Sequence, residues 1–392
     1  MNQLLSFVST LKYIGYIFIA ILILLLMVLI HELGHYIAGK ILKFKINEFS
    51  VGFGPKLLQK TKKNGEKISL RLFPLGGYCA FEGENEDGTD NPEAFNNQKP
   101  WKRLIVLFSG AFFNFLSAII FSFILLLCNG YDLVQVKNIN NTSINYEQLQ
   151  TGDVIYGIDG VKIDFVKDNS FNLLITSEIK ENYNKYGGDL SSLSSFVEEE
   201  KTFYISTQPL VYNVKRDGDK IEVQGYINVI YNDKGEYSGW TMLTSNQENP
   251  TEFDIGTYKY GFGESLVQCV PFTCRWAWKV LIIFGQLLTG QLGLETLGGP
   301  ITTIDMIASG VSQSASFILL LLPLIAVNLA VFNLLPIPAL DGFQMVFVTI
   351  EWIRKKPIKR EIINLINNIG LFVLLGFVLV VDGFQIFTKI FK

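Results

Sequence analysis

Apolar positions in this chain run in long blocks, and the charged positions gather between them. Tyr13 to Ile30 is an uncharged stretch of 18 residues between Lys12 and His31, and Leu104 to Cys128 is another of 25. Met306 to Leu340 stays uncharged for 35 residues but is divided by Pro323, Pro336 and Pro338. Ile362 to Val381 lies between Glu361 and Asp382. A hydrocarbon core of about 30 Å takes about 20 helical residues, so each window fits one crossing. The pattern therefore predicts a polytopic α-helical membrane protein with four transmembrane helices, over 13–38, 104–128, 316–335 and 362–381. No small-residue cleavage site follows the first window, which reads as a retained anchor. A fifth run, Val280 to Leu294, has only 15 residues and follows Arg275, Trp276, Trp278 and Lys279. Cations and tryptophans at one end suit an interfacial helix over 275–294; the alternatives are a shallow entry or a helix packed on the bundle.

Between the helices the pattern turns to alternation and turn residues. Phe49 to Tyr78 holds two apolar strands around a basic turn at Lys60 to Asn64. Irregular backbone at membrane depth is tolerated only where protein covers it or where it lines a cavity. The hairpin 49–78 thus either reaches back into the bundle or stays on the surface. From Tyr131 to about Tyr231, short alternating runs are punctuated by turns such as Gly152-Asp153 and Arg216-Asp217-Gly218-Asp219, the marks of a small β-rich domain. A polar segment, about Phe165 to Lys201, reads as an insertion. The expected organisation is a membrane part over 1–128, an extracytoplasmic domain with its linker over 131–262, and a second membrane part over 263–392.

Composition supports this reading: 49% of residues are hydrophobic and 18% charged, against about 25% charged in soluble domains. A net charge of −3 argues against a dedicated nucleic-acid binder. Basic residues number 12 in the 66 positions from Ala38 to Arg103 but 11 in the 132 from Tyr131 to Phe262, which also carry 20 acids. Arg354, Lys355, Lys356, Lys359 and Arg360 crowd one short hinge. Positive charge stays in the cytoplasm, so both termini and the β-rich domain are expected outside.

Both histidines of the chain stand in His31-Glu32-Leu33-Gly34-His35. Spacing of four residues puts the two imidazoles on one helical face, where both reach a single metal. Two nitrogens and a carboxylate suit one zinc per chain with a position left for water, and Glu32 is placed to act as the base. Ionisable groups in a membrane helix are costly unless they serve a function. A third ligand must come from elsewhere. Asp341 follows Pro336-Ile337-Pro338-Ala339-Leu340 and, by the charge argument, lies toward the same cytoplasmic side; as a bland alternative it caps a helix.

These stretches resemble the site-2 protease family of intramembrane zinc metalloproteases, in its bacterial, PDZ-containing, anti-sigma-factor-cleaving branch. The resemblance rests on His31 to His35, Phe49 to Pro55, Leu72 to Tyr78 with Glu82-Gly83-Glu84, and Pro100-Trp101-Lys102-Arg103. It extends to Gly110 with Asn114, Gly152-Asp153, Gly298-Gly299-Pro300-Ile301, and Asn333 to Gly342. It implies that His31, His35 and Asp341 hold zinc, that Glu32 is the catalytic base, and that Asn114 and Asn333 position substrate. It also implies a membrane-reentrant β-hairpin and a PDZ-like domain. The implied activity is hydrolysis within the membrane segment of a single-span, anti-sigma-factor-like protein, after a first cut outside by a site-1-type protease. The implied location is the bacterial inner membrane. Phe343 stands where the family has a second glycine, Ala111 replaces its proline, and the PDZ-like region lacks a clear carboxylate-binding loop. Two other classes compete with this reading: a silent membrane scaffold or adaptor, disfavoured by the intact ligands and base, and a zinc enzyme or transporter working on a lipid or ion, of which a transporter is disfavoured because repeated halves and further polar span residues are missing. Cys269 and Cys274 either pair or stay free thiols.

Overall fold

The computed structural model describes residues 2–84, 91–139, 141, 143–181, 193–198, 201–241, 253–293 and 298–391. Two compact units emerge, one formed by 1–124 with 266–392 and the other by 125–265.

In the first unit, α1 (Asn2–Ile41) leads into β1 (Ile46–Thr61) and β2 (Lys67–Phe81), followed by α2 (Pro100–Cys128). The strands of the second unit come next and are numbered below. The chain then returns through α4 (Phe262–Leu288), α5 (Pro300–Gln313), α6 (Phe317–Leu334), α7 (Asp341–Arg354) and α8 (Arg360–Phe391). Among the described residues five helices are long and apolar enough to cross a membrane: Leu11–Ile41, α2, α4, α6 and Arg360–Thr388. Four correspond to the four uncharged windows. The fifth, α4, differs from the sequence reading, since it starts at Phe262 and reaches 27 residues through Arg275 and Pro271. Its buried face carries Ser265, Cys269, Phe272 and Thr273, while Leu266, Val267 and Val270 point outward. A helix that hides hydroxyls and exposes aliphatics escapes a search for uninterrupted apolar runs. Thr273 there donates to Ser122 of α2 at 2.9 Å.

The hairpin bends on itself. Phe49 faces both Cys79 and Ile68, and Ser50 faces both Tyr78 and Ser69, so Ile46–Val51 runs between two segments of β2. The bend needs Gly52 (φ +85°) and Gly54 (φ +83°), where a Cβ on Gly52 would sit 2.8 Å from the Phe73 carbonyl oxygen. Arg71 ties the bend together, donating to Ser50, Gly54, Glu48 and Tyr78. At the turn, Glu66 is almost fully buried and accepts from Tyr36 (2.8 Å), Lys62 (2.9 Å), Asn64 (3.2 Å) and Lys40. That cluster pins the turn to α1 one helical turn beyond His35.

Two further polar ties hold the helices. Asp382 of α8 accepts from the amides of Ile301 and Thr302, at 3.2 and 3.1 Å, and from the Thr302 hydroxyl at 2.9 Å. It thus caps α5 from another helix, and a Cβ on Gly299 would fall 2.5 Å from its carboxylate. Glu351 of α7 binds Arg103 of α2 at 2.7 Å and Arg360 of α8 at 3.1 Å, and accepts from the Ile358 amide at 3.0 Å.

Among the described residues the second unit is an eight-stranded sheet of β3 (Val134–Ile139), β4 (Val154–Ile158), β5 (Val161–Lys162), β6 (Ser194–Glu198), β7 (Lys201–Arg216), β8 (Asp219–Tyr231), β9 (Tyr237–Thr241) and β10 (Phe253–Thr257), in the order β10-β3-β4-β7-β8-β9, with β5 beside β4 and β6 beside β7. Its longest hairpin joins β7 to β8 through Asp217-Gly218, both at positive φ, as a tight two-residue turn requires. Arg216 beside that turn forks onto Asp153, with two bonds of 2.7 Å. The helix α3 (Phe171–Glu181) lays Phe171, Leu174 and Ile175 on a core that includes Tyr212, Ile155 and Ile227. This is the β-rich domain that the turn residues announce; of its polar insertion, Ser194–Glu198 forms the strand β6, and 182–192 and 199–200 lie outside the described residues. The four cysteines are free, Cys269 and Cys274 included.

Candidate metal centre

Helix α1 presents His31 and His35 one turn apart, and α2 approaches at their level. Close approach depends on two glycines. A Cβ on Gly34 would lie 2.4 Å from the Ser109 carbonyl oxygen, and one on Gly110 would lie 2.4 Å from His35 Nε2 and 2.6 Å from His31 Cε1. Asp341 arrives from the other end of the sequence as the first residue of α7. The loop before it is held in shape: Ala339 takes φ +75°, its amide donates to Asn367 of α8 at 3.3 Å, and Pro338 packs into the space left by Gly370.

The three side chains converge. Asp341 Oδ2 lies 3.0 Å from His31 Nε2 and 3.2 Å from His35 Nε2, and the two Nε2 atoms are 3.1 Å apart. Zinc ligands at about 2.0–2.1 Å in a tetrahedral arrangement lie roughly 3.3 Å from one another, so this triangle fits that ion. Asp341 Oδ2 is buried and makes no hydrogen bond, which a cation among the three atoms would compensate. The outer nitrogens agree. His35 Nδ1 is 2.8 Å from the Val106 carbonyl oxygen and so carries the proton, leaving Nε2 free to ligate. Asn114 lies with Nδ2 3.3 Å from His31 Nδ1, while its Oδ1 is buried and unpartnered. Turning the amide over gives His31 Nδ1–H an acceptor and satisfies the orphan oxygen, since the two ends of an amide are alike in shape.

Glu32 follows His31 on the same turn and accepts from the Cys79 amide. The groups open on one cavity of about 280 Å³, whose further walls include Tyr78, Phe81, Glu84, Phe95 and Leu107. The structure thus brings together His31, Glu32, His35 and Asp341, with Asn114 spent on His31. Asn333 is half-buried on the last turn of α6 and lies outside this cluster. Ala111 is buried within α2, and Phe343 packs edge-on against Phe347 with ring centres 4.7 Å apart. Glu84 escapes a reading of the residues one by one. Its one signal was its place in Glu82-Gly83-Glu84, just past the hairpin.

Comparison with known proteins agrees with this geometry. The family model described as Peptidase family M50 matches residues 19–377. A protein provisionally named a zinc metalloprotease in Clostridium perfringens is 30% identical, over 93% of this chain and 97% of its own length. Relatives with the same provisional description in Pasteurella multocida and Campylobacter jejuni are 28% and 27% identical, each over 92% of this chain and over 97% and 90% of their own lengths. The chain belongs to peptidase family M50, the site-2 protease family, and is a membrane-embedded zinc metalloprotease.

Proposed function

Proceeding from that membership, we propose that the protein is an intramembrane endopeptidase of the site-2 type, holding one zinc per chain. It cuts a peptide bond in or beside the membrane segment of a single-span protein. The observation that carries this reading is the convergence of His31, His35 and Asp341, with His31, Glu32 and His35 on a helix apolar enough to cross a bilayer and Asp341 just past the end of another. Bound there, zinc supplies Lewis acidity toward the scissile carbonyl and lowers the pKa of its water. Glu32 takes a proton from the attacking water and returns it to the leaving nitrogen. Asn114 and the Val106 carbonyl fix the rings of the two histidines.

A helical substrate hides its carbonyls in its own hydrogen bonds and must unwind. Among the described residues Gly77–Phe81 pairs only with β1, and this same segment borders Glu32. An extended substrate adds to it as a further strand, gaining main-chain hydrogen bonds as it loses helical ones. The remaining role given to Asn333 is to steady that strand near the end of α6.

The meeting of Asp341 with the histidines also supports a topology. It requires the C-terminal ends of α1 and α6 to lie on one side, which the basic hinge makes cytoplasmic. The segment from α4 through α5 must then return to the side on which it began. That favours four crossings, with α4 at the interface, both termini outside, and the 125–265 domain, read as PDZ-like, facing the outer compartment of a bacterial inner membrane. Substrates of this class are anti-sigma-factor-like proteins already trimmed outside by a separate protease.

Purified protein in detergent, given a tagged single-span substrate, tests the reading. Wild type is expected to cleave, and Glu32→Gln to lose cleavage while keeping its zinc. Cleavage that survives Glu32→Gln would refute the assignment of the base.

A further inference from the structure

The catalytic cavity holds a second carboxylate for which the mechanism has no use. Glu84 follows β2, and the described residues before it are tied to neighbouring segments. The Glu82 amide donates to Lys45 at 3.0 Å and the Phe95 amide to the Glu82 carbonyl at 2.8 Å. Asn96 donates to the carbonyls of Gly83 and, at 3.2 Å, of Glu84. Gly83 takes the positive φ, +69°, that the turn needs. The loop is built to present a side chain, and the side chain lines the cavity of His31, Glu32, His35 and Asp341.

Glu84 is part-buried and forms part of the cavity wall. Among the described residues its one hydrogen bond is a long one, from the Phe81 amide at 3.5 Å, and no cation pairs with it. Burial accordingly raises its pKa to about 7, against the smaller opposing pull of the Phe81 amide and His35. A carboxyl kept in such a place without a partner is costly. The other carboxylates, the imidazoles and the tyrosine of the cavity are engaged. Three converge as ligands, Glu32 is the base, and the Tyr78 hydroxyl accepts from Arg71 at 2.6 Å.

On the reading given under Proposed function, we infer that Glu84 is the group that receives the leaving amine. Hydrolysis forms a C–O bond from water and breaks the C–N bond, and the water proton travels through Glu32 to the nitrogen. The product carboxylic acid then gives up its own proton and the amine ends as ammonium, so the balance closes without a further reagent. Glu84 accepts a hydrogen bond from that nitrogen as the bond breaks and pairs with the new amino terminus. A cation in a water-poor cavity needs such a counter-charge.

Two measurements on the full chain in detergent decide this. Glu84→Gln is expected to lower kcat about 10- to 100-fold, with KM within about twofold and zinc content unchanged, and Glu84→Asp to recover part of the loss. The second arm needs no turnover. A short leucine-rich peptide with a free amino terminus is expected to bind zinc-loaded protein about tenfold more tightly than its acetylated form, and Glu84→Gln to abolish that preference. Cleavage by Glu84→Gln within twofold of wild type, loss of zinc along with activity, or an unchanged preference for the free amine would each overturn the inference. Inactivity of the wild type would count against the protease reading alone, and the peptide ratio would still decide the role of Glu84.

Discussion

Glu351→Gln is the most informative single perturbation of the fold. Glu351 and Arg103 are each about 95% buried, their side chains meet at 2.7 Å, and Arg360 adds a second cation at 3.1 Å. Two unit charges about 3 Å apart attract by roughly 5–6 kcal/mol at an effective dielectric of about 20. Desolvation of several kcal/mol per ion offsets most of that, so the intact cluster contributes little net stability. Removing the acid is another matter, because it leaves the Arg103 guanidinium buried without the carboxylate that pairs with it and takes one partner from Arg360. Breaking such a pair costs about 3–5 kcal/mol, and that is the loss expected for Glu351→Gln. Arg103→Met should cost less, because Glu351 keeps Arg360 and the Ile358 amide. The double variant Arg103→Met/Glu351→Gln should recover part of the loss. Equilibrium unfolding of the four proteins in one detergent gives the coupling energy directly. The cluster also joins α2, whose Val106 orients His35, to α7, which begins with Asp341, so zinc affinity should fall in parallel. A loss below about 1 kcal/mol for Glu351→Gln, or single-variant losses that simply add to within about 0.5 kcal/mol, would refute the reasoning.

Other expectations follow from the same packing. Burial pushes the Glu66 carboxyl up, but hydrogen bonds from Lys40, Lys62, Tyr36 and Asn64 prevail and hold it at about 2. A depressed folded pKa contributes stability above the unfolded value of about 4.3, and that stability is lost as pH falls from about 5 to about 2. Glu66→Gln should therefore be destabilised at pH 7 and converge on wild type as the pH approaches 2. Unfolding at pH 7 and pH 3 checks this, and an equal deficit at both would assign the loss to packing. Gly110→Ala places a methyl group 2.4 Å from His35 Nε2 and should weaken zinc binding about tenfold or more while the secondary structure is kept; competition with a chelator measures it. Asn114→Leu removes the partner of His31 Nδ1 and should cost about 10- to 100-fold in metal affinity. Unchanged affinity there would mean that Asn114 does not orient the ring.

What could be read from one dimension is what depends on near neighbours. Four apolar windows, the strands of the hairpin, the Asp217-Gly218 turn and the i,i+4 histidines are all local patterns, and each has its counterpart in the structure. The extent of α4 was hidden because its exposed face is the apolar one and its buried face carries Ser265 and Thr273. The acids were harder still. Nothing adjacent to Glu66, Glu351 or Asp382 distinguishes a solvated carboxylate from a buried one, because their partners lie on other elements: Lys40 and Tyr36, Arg103, and the first turn of α5.

The fate of those acids gives the strongest reason to attend to Glu84. In a low-dielectric bundle an uncompensated carboxylate is disfavoured by several kcal/mol, so partners should be found wherever the acid serves the fold. Glu66, Glu351 and Asp382 each have three or more, and Asp305 has the Tyr13 hydroxyl. Asp341 Oδ2 lacks a hydrogen bond, and there the two imidazole nitrogens explain it as a metal ligand. Among the described residues Glu84 shares the lack of a compensating partner, and it shares the cavity, but it stands outside the ligand triangle. Structural need accounts for the first group and the proposed metal site for Asp341; what is left for Glu84 is the molecule that enters the cavity.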